Sequence, residues 1–502
     1  MANQKAMQKP NILFIHAESM DGRTMGCMGH PAMQGVTPNL DALAARGTLF
    51  RQAYSSCPVC NPSRASMWSG KHPGYHGCWN NYSGLREHVP TFWTLLEQSP
   101  YRHANFGKLD YQWGMHSIRD QVGSWTRTAG ILRPTNKMIL PTILEEDAHS
   151  GDWKKAEQLI GELRQAAAGD KPFFCCMSTG MVHPSFVTTK SYLDRIDPSL
   201  IEIPPALRDV SEADHPVDRF VRITKNHARA MAPELALEIR RVYYAMVAEL
   251  DDVVGKVLRA VDELGLGDNT YIIFSSDHGE MAGEHNQVLK RTMYEPSIHA
   301  PLIIAGPDVR RGTICDDVVS LIDIYPTLLD MMRLSYADYA ADEAWPQTLD
   351  GESLMPQLTG DAPRQRDWAF AEYHGDRCPT GTYMLRRGRW KLLHHVGYAP
   401  QLFDLEEDKW EINNLAASRP EIVSELNGIL QRNFDCAGLE RRARLEDRRR
   451  FVEWREGAMK DGTYNATMAR IFSGYSRLCI DDYRSWTDAD EEIINQWLAQ
   501  DV

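Results

Sequence analysis

Short apolar runs that end in polar clusters alternate along this chain with longer segments of helical spacing. The apolar runs at 11–17, 171–178 and 269–276 each precede polar residues, and we predict that they are buried strands. Amphipathic segments such as 234–264, where apolar residues recur every three or four positions, predict helices between them. Alternating strands and helices indicate an α/β fold with a mainly parallel sheet covered on both faces. The polar clusters would then meet at the carboxyl edge of the sheet, where such sheets bind ligands.

The pattern changes near Trp368. Short strand-like runs separated by turns occupy 368–405 and predict a small antiparallel sheet. A predicted helix at 420–433 and a highly charged stretch at 440–455 follow. We therefore expect a larger α/β domain at residues 1–367, and a smaller domain of antiparallel sheet and helices at residues 368–502.

The amino-acid composition limits the classes of partner that this protein is expected to bind. The 502 residues carry a net charge of -13, which disfavours nucleic acid and anionic membranes as partners. No stretch approaches the roughly 18 apolar residues of a membrane span, and the run Ile12–Ile15 is too short for a signal-peptide core. We expect a cytoplasmic protein without a membrane partner. Ten cysteines are too few for a disulfide scaffold, and Cys175 and Cys176 are predicted to be buried thiols.

The strongest chemical signal is the segment CNPSRASMWSG, which begins at Cys60. The residues after Cys60 are typical of the first turn of a helix, whose free N–H groups favour an anion. Arg64 would offer a planar fork of donors to an oxyanion. The alternative is that Cys57 and Cys60 form a redox or zinc pair, although there is no second such pair with zinc spacing.

Four other segments contain residue types that are common in active sites, but each by itself is a weaker indication of function. A hydrogen-bonded loop, a solvated charge run or an ordinary loop would explain each of them. They are Ser276-Asp277-His278-Gly279-Glu280, Lys290-Arg291-Thr292-Met293-Tyr294-Glu295, Phe106-Gly107-Lys108-Leu109-Asp110 and Val182-His183-Pro184.

Taken together, these segments resemble the type I sulfatase family, whose signature is Cys-x-Pro-Ser-Arg. The resemblance implies an alkaline-phosphatase-like α/β fold, a catalytic domain at 1–367 and the hydrolysis of sulfate esters. It also implies that the formylglycine-generating enzyme, which recognises Cys-x-Pro-x-Arg, converts Cys60 to formylglycine. A hydrated aldehyde can attack sulfur with one hydroxyl and expel the product with the other, whereas a thiol would leave a thiosulfate-like adduct.

By the same resemblance, one set of residues is catalytic and another holds one divalent metal ion. His183 would protonate the leaving alcohol, and the two lysines would bind the sulfate. Oxygen ligands favour Ca²⁺, while a histidine ligand leaves room for Mn²⁺ or Zn²⁺. The catalytic set is Cys60, Arg64, Lys108, His183 and Lys290, and the metal set is Glu18, Cys60, Asp277 and His278.

Two positions depart from the family pattern. Glu18 and Ser19 stand where the family has two aspartates, which leaves the identity and coordination of the metal open. Asp110 stands where most members have a histidine, so the base for sulfate elimination is also open, with His278, Asp110 and His116 as candidates.

Other segments, among them Glu372-Tyr373-His374-Gly375, resemble the glucuronate-2-sulfatase branch of the family. This implies a small anionic substrate, a sulfated uronic acid whose carboxylate also needs binding, and the net charge favours a saccharide end over a long polyanion. A phosphonate monoester or phosphodiester hydrolase, a broad aryl or alkyl sulfatase, and an unconverted sulfate-binding relative are the alternatives. The sequence allows a homo-oligomer without determining one. The candidate substrate-binding residues are Asp110, His116, Arg127, Lys225, His374 and Arg386.

Overall fold

A computed structural model describes residues 9–112, 118–129, 140–340, 345–360, 364–472 and 486–500 of the protein. Its strands are β1 Asn11–Ala17, β2 Gly47–Tyr54, β3 Arg102–Gly107, β4 Thr142–Leu144, β5 Phe173–Ser178, β6 Val187–Thr189, β7 Thr270–Ser276, β8 Leu302–Ala305, β9 Thr313–Ser320, β10 Trp368–Tyr373, β11 Thr382–Arg387, β12 Trp390–His395 and β13 Gln401–Asp404. Its helices are α1 Pro38–Arg46, α2 Cys60–Ser69, α3 Pro73–His76, α4 Phe92–Gln98, α5 Ile118–Trp125, α6 Ser150–Ala167, α7 Lys190–Leu193, α8 Pro216–Thr224, α9 Pro233–Glu263, α10 Glu295–Ile298, α11 Ile324–Met332, α12 Met355–Thr359, α13 Pro420–Asn433, α14 Cys436–Lys460, α15 Tyr464–Phe472 and α16 Asp488–Ala499.

The central sheet has seven strands in the order β3-β5-β1-β7-β8-β2-β9. The strands β3, β5, β1 and β7 are parallel, whereas β8 runs antiparallel to both β7 and β2. Every residue of β1, β5 and β7 is buried, because helices cover both faces of the sheet. The predicted α/β fold with a mainly parallel sheet is confirmed, and Cys175 and Cys176 are buried in β5 as predicted.

Successive side chains of β1 enter different cores on the two faces of the sheet, as the period of two along a strand requires. Leu13 and Ile15 belong to the core that α1, α6 and α9 cover. Phe14 belongs to the opposite core, where its ring packs edge-on against Trp68 of α2, with ring centroids 5.5 Å apart. Trp68 also stacks on Phe92 of α4. These aromatic contacts hold α2, and therefore its first residue, in a set position above the sheet.

The strands β10 to β13 form a separate four-stranded antiparallel sheet in sequence order. Both this sheet and the helix at 420–433 match the sequence prediction. Apolar residues of β10 share a core with Cys57 and Val59, so the small sheet packs beside the loop that leads into α2. The division of the chain into domains at residue 367 stays a prediction. Over the residues that are described, no helix combines the length and the apolar character that crossing a membrane requires.

Gly107 ends β3 where the chain turns towards Lys108. Its φ of 115° lies in the region that favours glycine, and a Cβ atom there would lie 2.0 Å from the carbonyl oxygen of Ser178 in β5. Only a residue without a side chain therefore allows β3 and β5 to approach this closely.

We predict that Gly107→Ala lowers the free energy of unfolding by about 1–3 kcal/mol, because the new methyl group meets backbone and the left-handed φ is strained. Gly161→Ala, in the middle of α6 with nothing within 4 Å of the new Cβ, is the control. It should raise stability by roughly 0.5–1 kcal/mol through helix propensity. Urea unfolding of both variants tests this, and equal effects of the two alanines would refute it.

Candidate active site

Five segments converge at the carboxyl edge of the central sheet. Glu18 follows β1, Lys108 follows β3 and Asp277 follows β7, while the loop after β5 brings in His183. The fifth segment is α2, whose first residue is Cys60. The residues that the sequence predicts for catalysis and metal binding are thus brought together by the ends of four parallel strands and one helix N-terminus.

Cys60 lies at the centre of this cluster and is 2% exposed. Its Sγ atom is 3.4 Å from Oε1 of Glu18 and 3.2 Å from Nε2 of His278. Burial raises the pKa of the thiol, which therefore stays protonated and is a weak nucleophile in this form. The described residues form two possible metal-ligand groups, and both include Cys60 but not Cys57, which argues against a zinc pair.

Arg64 and Asp277 form an ion pair that is fully buried. Nε of Arg64 donates to Oδ2 of Asp277 at 2.8 Å, and Nη1 donates to the carbonyl oxygen of Lys108 and the hydroxyl of Ser178. Burial opposes ionisation of Asp277, but the positive charge of Arg64 favours it, and the pKa of this carboxyl lies well below its usual range. Asp277 is therefore ionised at neutral pH, and its carboxylate could serve as a metal ligand.

Two lysines bring positive charge to the cluster. Nζ of Lys108 is 2.6 Å from Oε1 of Glu18 and 2.9 Å from Oδ2 of Asp110. Burial raises and Lys108 lowers the pKa of Glu18, with a net decrease to about 2. Lys290 is buried, and its Nζ donates to the hydroxyl of Ser19 at 3.4 Å. Both ammonium groups lie where they could bind an anion next to residue 60.

The histidines of the cluster are neutral. Burial and the charge of Lys290 lower the pKa of His183 to about 3, and burial lowers that of His278 to about 4. Nδ1 of His278 donates to the carbonyl oxygen of Gly279 at 2.8 Å, which leaves the Nε2 lone pair facing Cys60. The side chain of His183 is 30% exposed, as is that of Lys108 at 31%, so these two lie at the mouth of the site.

The donor set fits a divalent cation. Ligand atoms of Cys60, Asp277 and His278 lie within 4.8 Å of one another, and so do those of Glu18, Cys60 and His183. Two ionised carboxylates and a neutral imidazole are suitable ligands for such an ion. His183, which the sequence suggests only as an acid, also belongs to one of these groups.

Arg127 and His374 lie in a different buried cluster. Arg127 pairs with Glu440 at 3.1 Å and with Asp447 at 3.0 Å. His374 lies between Glu372, at 3.2 Å, and Glu440, at 3.0 Å. The structure does not bring these two predicted substrate ligands to Cys60. Both pair instead with carboxylates of α14 and β10.

The other substrate-binding candidates differ in their surroundings. Arg386 donates to the hydroxyl of Tyr54 at 2.9 Å and to Gln52 at 2.8 Å, so it joins the small sheet to β2 instead of reaching the cluster. Asp110 lies beside Lys108, within the site. Lys225 is buried and donates to Oε1 of Gln287 instead of to a carboxylate. His116 lies outside the described residues.

Two buried polar residues near Asp277 escape the sequence analysis. His16 and Ser178 are paired positions near the ends of β1 and β5. Ser178 accepts a hydrogen bond from Arg64, and burial together with Arg64 lowers the pKa of His16 to about 3. The only signal for them is a polar residue at the end of an otherwise apolar strand.

The N-terminus of α2 and two groups of potential metal ligands thus meet at the carboxyl edge of this sheet, as the sequence predicts for a hydrolase. The sulfatase family model matches residues 10–334, and that of the N-sulphoglucosamine sulphohydrolase C-terminal region matches residues 283–434. The chain belongs to the sulfatase family and is a sulfuric ester hydrolase, as predicted.

Among its relatives is the arylsulfatase K of Canis lupus familiaris, which is 33% identical over 97% of this chain and 93% of that protein. Two similar solved structures confirm the fold. The phosphonate monoester hydrolase of Agrobacterium radiobacter has a TM-score of 0.66 at 24% identity, and covers 87% of this chain and 96% of its own. A 2-O GAG sulfatase has a TM-score of 0.65 at 23% identity, and covers 85% of this chain and 92% of its own.

We predict that Arg64→Met lowers the free energy of unfolding by about 3–5 kcal/mol, because it leaves the buried carboxylate of Asp277 uncompensated. The control is Arg46→Met, which removes an exposed arginine paired with Asp262 at 3.2 Å and should change stability by less than about 1 kcal/mol. Urea denaturation measures both. Similar losses in the two variants would contradict the importance assigned to the buried pair.

Proposed function

We propose that this sulfatase hydrolyses the 2-O-sulfate of a uronic acid in a sulfated saccharide, with a formylglycine derived from Cys60 as the nucleophile. The observation that carries the proposal is the position of Cys60, at the N-terminus of α2 and in contact with Glu18 and His278. The similarity to arylsulfatase K, to a 2-O GAG sulfatase and to the glucuronate-2-sulfatase branch of the family supports the substrate.

Maturation by a formylglycine-generating enzyme is part of the proposal, because the buried thiol is protonated and poorly reactive. The hydrate of formylglycine supplies one hydroxyl for attack on sulfur and a second that later expels sulfate. Glu18, Asp277, His278 and residue 60 would hold one divalent ion, proposed to be Ca²⁺ with Mn²⁺ and Zn²⁺ as alternatives, and the ion would act as a Lewis acid.

The chain's own cations would bind the sulfate. Lys108 contacts Glu18 and Lys290 contacts the neighbouring Ser19, so an ester next to residue 60 would place its sulfuryl oxygens near both ammonium groups. Arg64 orients the cluster by holding Asp277 and the backbone of Lys108. These donors are set in place before substrate arrives, which is the arrangement that stabilises charge in a transition state.

His183 would give a proton to the departing alcohol. Nδ1 of His183 contacts the carbonyl oxygen of Pro184 and is therefore the protonated nitrogen of the neutral ring. Nε2 is then free to carry a proton once the negative charge of a bound sulfate favours the imidazolium. A sugar alcohol is a poor leaving group without such a proton, so this step matters most for saccharide substrates.

A phosphonate monoester or phosphodiester hydrolase is the second candidate, because an enzyme of that kind shares the fold. The same cations and ligands would suit a phosphoryl group. The two functions differ in which ester the protein hydrolyses more efficiently.

We predict that kcat/KM is higher for a 2-sulfated glucuronide than for a phosphodiester, and that Cys60→Ala lowers it by about 10³-fold or more. Mass spectrometry of the peptide around residue 60 should show an aldehyde in place of the thiol. Cys57→Ala is the control and should keep activity, because Cys57 belongs to neither metal-ligand group. A much higher kcat/KM for the phosphodiester, or full activity of Cys60→Ala, would overturn the proposal.

A leaving-group comparison tests the role of His183. His183→Gln should lower kcat about 100-fold or more for a sulfated saccharide, because the alcohol then leaves without a proton. The loss should be less than about tenfold for 4-nitrophenyl sulfate, whose phenolate needs no proton. Equal losses with both substrates would assign His183 to binding or folding instead.

A further inference from the structure

Lys225 follows α8 and is an unusual cation, because its side chain is almost completely buried, at 1% exposed. Its Nζ donates to Oε1 of Gln287 at 2.9 Å. No carboxylate in the described part of the chain lies within ion-pair distance of it. Burial and the neighbouring charge of Arg291 place the pKa of Lys225 well below its usual range. A buried lysine whose charged form has no counter-ion costs stability, so its presence calls for a functional reason.

Arg291 connects Lys225 to the active site. It follows Lys290 in sequence, and its N–H donates to the carbonyl oxygen of Pro58 at 3.1 Å, beside the loop that leads to Cys60. Its guanidinium donates to Oδ1 of Asp376 at 3.1 Å and to the hydroxyl of Tyr82 at 3.3 Å. The residue is only 9% exposed, so this charge is held in place beside the loop that precedes Cys60.

Arg377 completes the cluster and reaches its surface. Nη1 of Arg377 is 3.2 Å from Oδ2 of Asp376, and the side chain is 18% exposed. Asp376 therefore serves two guanidinium groups with a single negative charge. The charges of both Arg377 and Asp376 act on Lys225, which places all three in one electrostatic group.

The group carries more positive than negative charge. The negative charge of Asp376 acts on Lys225 as well as on the two arginines. The buried carboxyl group of Glu280 interacts electrostatically with both Lys225 and Lys290. Arg291 and Arg377 share Asp376 as their carboxylate, which leaves positive charge in excess, and ionisation of both Lys225 and Glu280 does not change that balance. The protein as a whole has a net charge of -13. Arg127 differs, since two carboxylates already neutralise it. The excess next to the sulfate-binding lysine Lys290 indicates a second site for an anion.

We propose that Lys225, Arg291 and Arg377 form a carboxylate-binding subsite that selects a substrate whose sulfated sugar is a uronate. This inference rests on the proposed function and names the residues that give it specificity. The substrate carboxylate supplies the counter-charge that Lys225 lacks. Arg377, the most exposed of the three, offers a planar pair of donors that matches a carboxylate, and Asp376 and Tyr82 hold Arg291 beside it.

The first test compares two substrates with the same leaving alcohol: a 2-sulfated glucuronide and its methyl ester, which keeps the sulfate and lacks the carboxylate charge. In Arg377→Gln, kcat/KM for the glucuronide should fall about 10- to 100-fold, as expected for the loss of a charged hydrogen bond. For the methyl ester it should fall less than about threefold. Arg389→Gln, which removes an arginine paired with Asp404 in the small sheet, is the control and should not alter the ratio.

The outcomes separate this inference from the proposed function. If the wild-type protein hydrolyses the two esters equally well, or if Arg377→Gln loses activity equally on both, the subsite is refuted while the sulfatase assignment stands. If neither ester is hydrolysed but 4-nitrophenyl sulfate is, the proposed substrate fails and the subsite fails with it. Selective loss on the glucuronide alone supports both.

Lys225→Met provides a second, independent measurement. At pH 7 the folded state keeps Lys225 in surroundings that disfavour its charge, so below the ordinary lysine pKa this group lowers stability, and its removal should raise the midpoint of urea unfolding. The same variant should lose selectivity for the glucuronide over the methyl ester by about 10-fold or more. A purely structural lysine would give the opposite pattern, with lower stability and unchanged selectivity, and that result would overturn the proposal.

Discussion

The buried ion pair between Arg64 and Asp277 is the interaction on which the geometry of the site depends. It joins α2 to the end of β7, and the same guanidinium donates to the backbone of Lys108 after β3 and to Ser178 at the end of β5. Two charges can be kept away from water only when they neutralise each other and find further hydrogen bonds. One side chain therefore fixes the positions of α2 with Cys60, of Asp277 and of the backbone of Lys108 relative to one another.

Around this pair the protein separates its charges. The chain as a whole is acidic, while the ammonium groups of Lys108 and Lys290 lie beside Glu18 and Ser19 at the carboxyl edge of the sheet. A local positive field attracts a small anion, whereas an acidic exterior repels a long polyanion. The proposed substrate fits this arrangement, because a single saccharide end would present its sulfate to these cations.

Much of the fold was predictable because it follows periodicity along neighbouring residues. The apolar strands β1, β5 and β7, the helix at 420–433 and the small antiparallel sheet all lie where the pattern places them. Predictions of site residues were less uniform. Cys60, Arg64 and Asp277 converge as expected, whereas Arg127 and His374 are engaged by Glu440, a residue of α14 that no local pattern connects with them.

The sequence by itself determined the class of the protein, since the motif that begins at Cys60 and the runs of apolar residues are local features that a single chain segment carries. Only the tertiary structure decided which cations are neutralised and which remain in excess. Arg127 pairs with two carboxylates of α14, while Lys225 donates to Gln287 and has no carboxylate within ion-pair distance in the part of the chain that the structure describes. The physical reason is that neutralisation of a buried charge depends on groups brought within a few ångströms by folding, and their spacing along the chain carries no record of it.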